Sequence, residues 1–165
     1  MCAETFRAIP RHISPTPENT PITAALRGSK ETGLELLPQG IMVARVLEAK
    51  DEDGEFLYPE VVIQIPRRAT KTTTITNVLL GRCFDIPGYK VVQTGQDGAR
   101  ARQAFNNMAS ALEYAYPDED SRPFRYYRAN GTERLVWDNG SVWWVVPPQA
   151  RAFRGASANV IWADE

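Results

Sequence analysis

Cysteine and histidine are nearly missing from this chain. Cys2 and Cys83 stand far apart with no metal-ligand spacing around them, which argues against a disulfide framework and against a zinc site. The single histidine, His12, falls in a proline-rich leader and leaves a His-based catalytic triad without a candidate. Long apolar runs are missing too. None approaches the ~18 residues of a membrane-crossing helix, and the N-terminus has no apolar signal core, so no membrane partner is expected and the chain reads as cytosolic. There is little charge of one sign. A net charge of −1 argues against a general nucleic-acid coat or a membrane-surface protein, while local basic faces stay open at Arg67/Arg68/Lys71, Arg122/Arg125/Arg128 and Arg151/Arg154.

What is present is the patterning of one ordinary domain. Residues 1–37 are rich in Pro, Thr, Ser and charge and read as a flexible arm; residues 38–165 carry the periodic segments. A helix is expected over 39–50, then a polar turn through Asp51, Glu52, Asp53 and Gly54. Residues 58–65 contain Val61-Val62-Ile63-Gln64-Ile65, short and β-branched, which suits a strand buried on both faces and stopped by Pro66. Ile75, Val78, Leu79 and Cys83 share one face of a helix over 71–83. A second strand follows at 89–94. Asp97 suits an N-cap, and Ala101, Ala104, Phe105, Met108 and Leu112 form the stripe of the next helix. Residues 134–137 and 142–146 flank Asp138-Asn139-Gly140 as a β-hairpin, whose Trp137, Trp143 and Trp144 are expected to cover the sheet rather than stack on bases. A last apolar strand over 159–163 runs into Asp164-Glu165. The order implies an α/β fold: a parallel sheet carrying an inserted hairpin.

Chemistry concentrates at the junction Ile65-Pro66-Arg67-Arg68-Ala69-Thr70-Lys71-Thr72-Thr73, between a strand and a helix. A helix N-terminus turns free N–H groups and the positive dipole end toward an anion. A lysine followed by a hydroxyl residue at that point is the core of a phosphate-binding loop: the amine reaches outer phosphates and the hydroxyl ligates Mg²⁺. Ile65 and Thr70 stand where the usual pattern has glycines, so a plain basic turn is the competing reading of this segment. About 90 residues on, Asp164-Glu165 closes an apolar strand, where an Asp can serve the Mg²⁺ shell and a Glu can polarise water.

Taken in order, these segments resemble the large terminase subunit of tailed bacteriophages. The 65–73 stretch is similar to that family's modified phosphate loop (Walker A), with its early arginine. Val91-Val92-Gln93-Thr94-Gly95-Gln96 and the Arg100/Arg102/Phe105 helix are similar to its next strand and helix. Residues 151–165 are similar to the approach to its second nucleotide motif (Walker B). The resemblance covers roughly residues 38–165 and implies a three-layer P-loop NTPase-like sheet, incomplete at the C-terminus. It implies an ATPase that, with ATP and Mg²⁺, drives double-stranded DNA into a capsid. Portal protein, small terminase subunit and a homo-oligomeric ring are implied partners, and the bacterial host cytoplasm the implied place, from a phage or prophage gene. Residue by residue, Lys71 would bind β- and γ-phosphates and Thr72 the Mg²⁺, with Arg68, Ala69 and Thr70 completing the loop. Arg67 would neutralise developing charge, Asp164 would assist Mg²⁺ and Glu165 would activate water. Gln39 would read adenine. Two alternatives stay open: a helicase-like ATPase, and a non-catalytic α/β interaction module with a degenerate phosphate loop. The nuclease domain and coupling motif of the family are not among these residues, so the chain is expected to be an N-terminal piece of low ATPase activity, with an unpaired edge at 160–162.

Overall fold

The computed structural model describes residues 10–129, 133–149, 153 and 157–164. The chain runs α1 (Thr23–Thr32), α2 (Pro38–Glu48), α3 (Lys71–Asp85), β1 (Lys90–Gly95), α4 (Gly98–Ala115), a 3₁₀ turn (Glu119–Ser121), β2 (Phe124–Tyr127), β3 (Arg134–Trp137), β4 (Val142–Val145) and β5 (Val160–Asp164). The five strands form one open sheet in the order β2-β3-β4-β1-β5. The β1 strand pairs parallel with both β4 and β5, whereas β2–β3 and β3–β4 are antiparallel. The sheet is therefore mixed, not parallel throughout. The hairpin at Asp138-Asn139-Gly140 does not sit outside the sheet as an insert: its second strand joins the ladder beside β1.

Strand alternation decides which face is covered. Tyr126, Leu135, Trp143 and Val91 stand in register across four strands, and Gln93 is paired with Trp162 on the same side. These apolar residues share one core with Ile75, Leu79, Leu80 and Cys83 of α3 and with Phe105, Met108, Ala109 and Leu112 of α4. Both helices thus join a single face of the sheet, and the expected third layer is not seen among the described residues. Trp137 and Trp143 are buried, as their alternation implies. Cys83 is fully buried and unpaired, and desolvation pushes its thiol well above the ordinary range, so it behaves as a small hydrophobe.

Two expectations are corrected. Residues 58–65 belong to no ladder. After a bend at Pro59 and Glu60, Val61, Ile63 and Ile65 are half-covered in a segment without regular secondary structure, Ile63 touching the core while Val62 is 85% exposed. A β-branched run with no neighbouring strand has apolar character but no hydrogen-bond partner, and stays outside the sheet. The second half of the expected arm is α1, which packs on α3. That packing is unusually close. A Cβ at Gly28 would stand 2.0 Å from the Asn77 carbonyl oxygen, and one at Gly81 would stand 1.9 Å from that of Ala24. Polar residues in α1 obscure it in the sequence, because its contact uses absent side chains rather than an apolar stripe. Asn77, fully buried, accepts from the Thr32 hydroxyl and donates to the Leu34 carbonyl, tying the end of α1 to α3. The start of α1 is held by Glu48, whose carboxylate accepts from the Ala24 and Ala25 amides. Burial raises the Glu48 carboxyl above its usual 4.5 despite these donors. No helix of the described residues is long and apolar enough to cross a membrane.

Gly28→Ala and Gly81→Ala each cost about 1–3 kcal/mol in urea unfolding, while Gly98→Ala, whose added Cβ meets nothing closer than 3.8 Å, leaves the midpoint unchanged. Glu48 holds its proton more tightly folded than unfolded, so its favourable contribution is complete below 4.5 and is lost as pH rises through its raised folded value. Measured against Glu48→Gln, the parent chain's stability accordingly falls as pH is raised from 4.5 through the raised folded value of Glu48.

Candidate nucleotide site

Residues 65–73 fold around a tight turn. The Ala69 amide donates to the Pro66 carbonyl, and α3 begins at Lys71 with the Thr74 amide donating back to Thr70. Two residues here occupy the left-handed region, Arg68 at φ 63° and Thr70 at φ 60°. That region costs an L-residue about 1–2 kcal/mol, and a β-branched one rarely adopts it. Thr70 therefore takes the conformation for which glycine is the usual choice, while keeping its side chain. Its hydroxyl oxygen is buried and has no hydrogen-bond partner among the described residues. Strained backbone and an orphaned polar atom together fit a loop shaped for something other than its own stability.

The acidic strand end meets this loop. Asp164 closes β5 and lies opposite Gly95 at the end of β1. A Cβ at Gly95 would approach the Asp164 carbonyl oxygen to 2.7 Å, so the bare glycine admits this backbone beside the first turn of α4. Across the gap, the Lys71 ammonium stands 3.8 Å from one Asp164 carboxylate oxygen. The Thr72 hydroxyl donates to the other at 3.4 Å, between residues 92 positions apart in sequence. Both charged side chains are largely covered, with 25% of Lys71 and 18% of Asp164 exposed, so water screens the pair less than it would on an open surface. An ammonium, a hydroxyl and a carboxylate thus converge at a helix N-terminus, with Arg67 and Arg68 exposed on the preceding turn.

Among the expected site residues, the structure brings together Ala69, Thr70, Lys71, Thr72 and Asp164. Glu165 lies outside the described residues, as do Arg151 and Arg154. Gln39 sits half-buried in the first turn of α2. Its neighbour Gly40 is so close to α3 that a Cβ there would lie 2.5 Å from the Thr74 hydroxyl, one turn beyond Lys71. Gln39 is therefore at the same end of α3 as the loop.

Of the Arg122/Arg125/Arg128 cluster, Arg125 lies exposed in strand β2 and the other two flank that strand. Arg122 and Arg128 both pair with Glu113, and Arg128 lies over the Tyr126 ring. A cross-element acid such as Glu113 gives no local sequence signal. One further feature escaped the sequence reading: a cleft of about 300 Å³ lined by Asp164 together with Gln96, Asp97, Arg100 and Ala101.

No family model matches the chain, and neither a curated protein nor a solved structure matches it.

Replacing Thr70 by glycine relieves the left-handed backbone and stabilises the chain by about 1 kcal/mol in urea unfolding, whereas Ala69→Gly, at a residue with no positive φ, does not.

Proposed function

We propose that the chain is an Mg²⁺-dependent ATP-binding domain, the ATPase part of a phage DNA-packaging motor of the large-terminase kind. One observation supports this above the rest: a single carboxylate, Asp164, faces both Lys71 and Thr72 at the start of α3. A lysine, a hydroxyl residue and a strand-end acid are the parts a phosphate loop combines, and they meet here although the loop has no glycine.

The residues fit Mg²⁺ as well as the nucleotide. The Thr72 oxygen is a hard ligand and Asp164 is a nearby carboxylate, which suits a cation that keeps several waters and takes few protein ligands. When bound, Mg²⁺ would supply charge neutralisation at the outer phosphate oxygens. The chain's own groups do the remainder. Lys71 leaves its partner Asp164 for the more highly charged phosphates. The α3 N-terminus supplies amide donors. Arg67 offers a fixed fork of donors to charge that builds during transfer. Glu165, next after Asp164, polarises the attacking water, and Gln39 contacts the base from α2. Duplex DNA, portal protein, small terminase subunit and a ring of copies are the partners this reading carries.

Calorimetric titration of the chain with Mg-ATP tests it. Binding is expected, lost by at least about tenfold in Lys71→Ala, since a charge-assisted hydrogen bond contributes about 1.5–3 kcal/mol. Asp164→Asn is expected to weaken the Mg²⁺ dependence more than the binding of metal-free nucleotide. A folded sample that binds no nucleotide at millimolar concentration overturns the reading and favours the non-catalytic interaction module.

A further inference from the structure

The two faces of the sheet are used unequally. Alternation turns Tyr126, Leu135, Trp143 and Val91 into the core, so their neighbours Tyr127, Arg134, Trp144 and Val92 stand on the other side. On β1 that side is closed, with Val92 and Thr94 buried. On β2, β3 and β4 it is open. Tyr127 is 41% exposed, and Arg125 and Arg134 are exposed. Val136, Val142 and Trp144 are half-covered without joining the core cluster.

Register sets these side chains in two rows. Trp144, Arg134 and Tyr127 stand level across β4, β3 and β2. Beside them run Lys90, Val142, Val136 and Arg125, from β1 to β2. The first row carries an aromatic ring at each end, about 10 Å apart by two strand spacings, with a guanidinium between. Arg134 lies 4.8 Å over the Tyr127 ring, which leaves its in-plane N–H donors for an anion. The second row has an exposed cation at each end and valines between. No strand residue on this side of β2, β3 or β4 is acidic. Glu133, next to Arg134 in the chain, is buried and turned to Arg102, and Asp138 belongs to the turn beyond β3. Arg122 and Arg128 are answered by Glu113, whereas Lys90, Arg125 and Arg134 form no ion pair among the described residues.

We propose that this open face binds single-stranded nucleic acid. Bases stack on Tyr127 and Trp144, since a ring offers a flat surface that any unpaired base matches. Phosphates of the same strand meet Arg134 between the rings and Lys90 and Arg125 at the two ends of the second row. A duplex is a poorer match, because its bases are stacked on one another and present only their edges and phosphates to a broad sheet. An acidic peptide would satisfy the cations but leave the rings unused. The chain's net charge of −1 makes the attraction local to this face and not a property of the whole surface. None of Lys71, Thr72 and Asp164 takes part, so the proposal stands apart from the nucleotide reading above.

The test is fluorescence anisotropy of the 165-residue chain with labelled oligothymidylate and oligouridylate of about 12 nucleotides, beside a duplex and an abasic strand of the same length and a polyglutamate peptide. At least one of the two single strands is expected to bind about tenfold or more tightly than the duplex, the abasic strand and the peptide, and a preference between the two assigns the sugar. Tyr127→Ala is expected to weaken single-strand binding about five- to a hundredfold, and Tyr127→Phe to retain it. Lys90→Gln and Arg125→Gln are each expected to reduce the salt slope of log K by about 0.7, one phosphate contact apiece. Circular dichroism establishes that each variant is folded, and the two exposed cations supply variants that leave the packing untouched. A parent chain that binds neither single strand at low salt overturns the proposal. So does a duplex or abasic strand that binds as tightly as the single strands, which would assign the face to phosphate alone. Equal binding of polyglutamate would assign it to an acidic protein partner and overturns it as well. A folded Tyr127→Ala chain with unchanged affinity, or a salt slope that neither glutamine substitution alters, has the same effect.

Discussion

Helix α3 can hold its place only because two helices meet without side chains between them. Gly28 of α1 lies against the Asn77 carbonyl and Gly81 of α3 against that of Ala24. Any larger residue at either position would push the helix axes apart. With α1 seated so closely, Val78 is enclosed by Ala25 and Ala44, and the opposite side of α3 is left to Leu79, Leu80 and Cys83 in the main core. Buried polar groups complete the clasp. Asn77 ties the end of α1, Glu48 ties its beginning, and Arg82 donates to the Leu47 carbonyl and the Tyr89 hydroxyl while stacking on Phe56. Each such group is expensive to bury alone and is tolerated because it has partners. The N-terminus of α3, where Lys71 and Thr72 stand, inherits this fixed position.

The other half of the site depends on a different close approach. Asp164 reaches the loop because Gly95 leaves room between the ends of β1 and β5 and the first turn of α4. The start of β5 is registered by Asn159, whose side chain accepts from the Lys90 amide and whose own amide donates to the Lys90 carbonyl. From that anchor the parallel register carries Asp164 level with Gly95. Asp164 then faces both a cationic cradle and the cleft that holds Arg100. One carboxylate is thereby the hinge of the proposed chemistry, and its placement follows from a glycine and an asparagine outside the motifs.

Elements with a strong local period were legible in the sequence. The stripe of α4, its Asp97 cap, the Asn-Gly turn and the strands β1 and β5 all fell where periodicity and turn chemistry put them. The pairing of Lys71-Thr72 with Asp164 was legible as well, since residue type and order at element ends are local facts. Three things were not. The run at 61–65 looks like a core strand because β-branched residues report apolarity, whereas strand formation needs a neighbour that no single segment encodes. The α1 helix looks like an arm because its packing is made through glycine and a buried glutamate. The parallel pairing of β4 with β1 depends on a crossover through α4, β2 and β3, which hydropathy does not record.

Among the described residues, β5 has a neighbour on one side only. The two halves of the site are therefore mounted with unequal stiffness. Lys71 and Thr72 stand on a helix gripped from two sides, while Asp164 stands at the tip of a five-residue strand held by one ladder. Edge elements open at lower free energy than clasped ones. The carboxylate therefore sits on the less firmly held half of the site, and what steadies it from below is Trp162 of the same strand, packed in the core against Trp143.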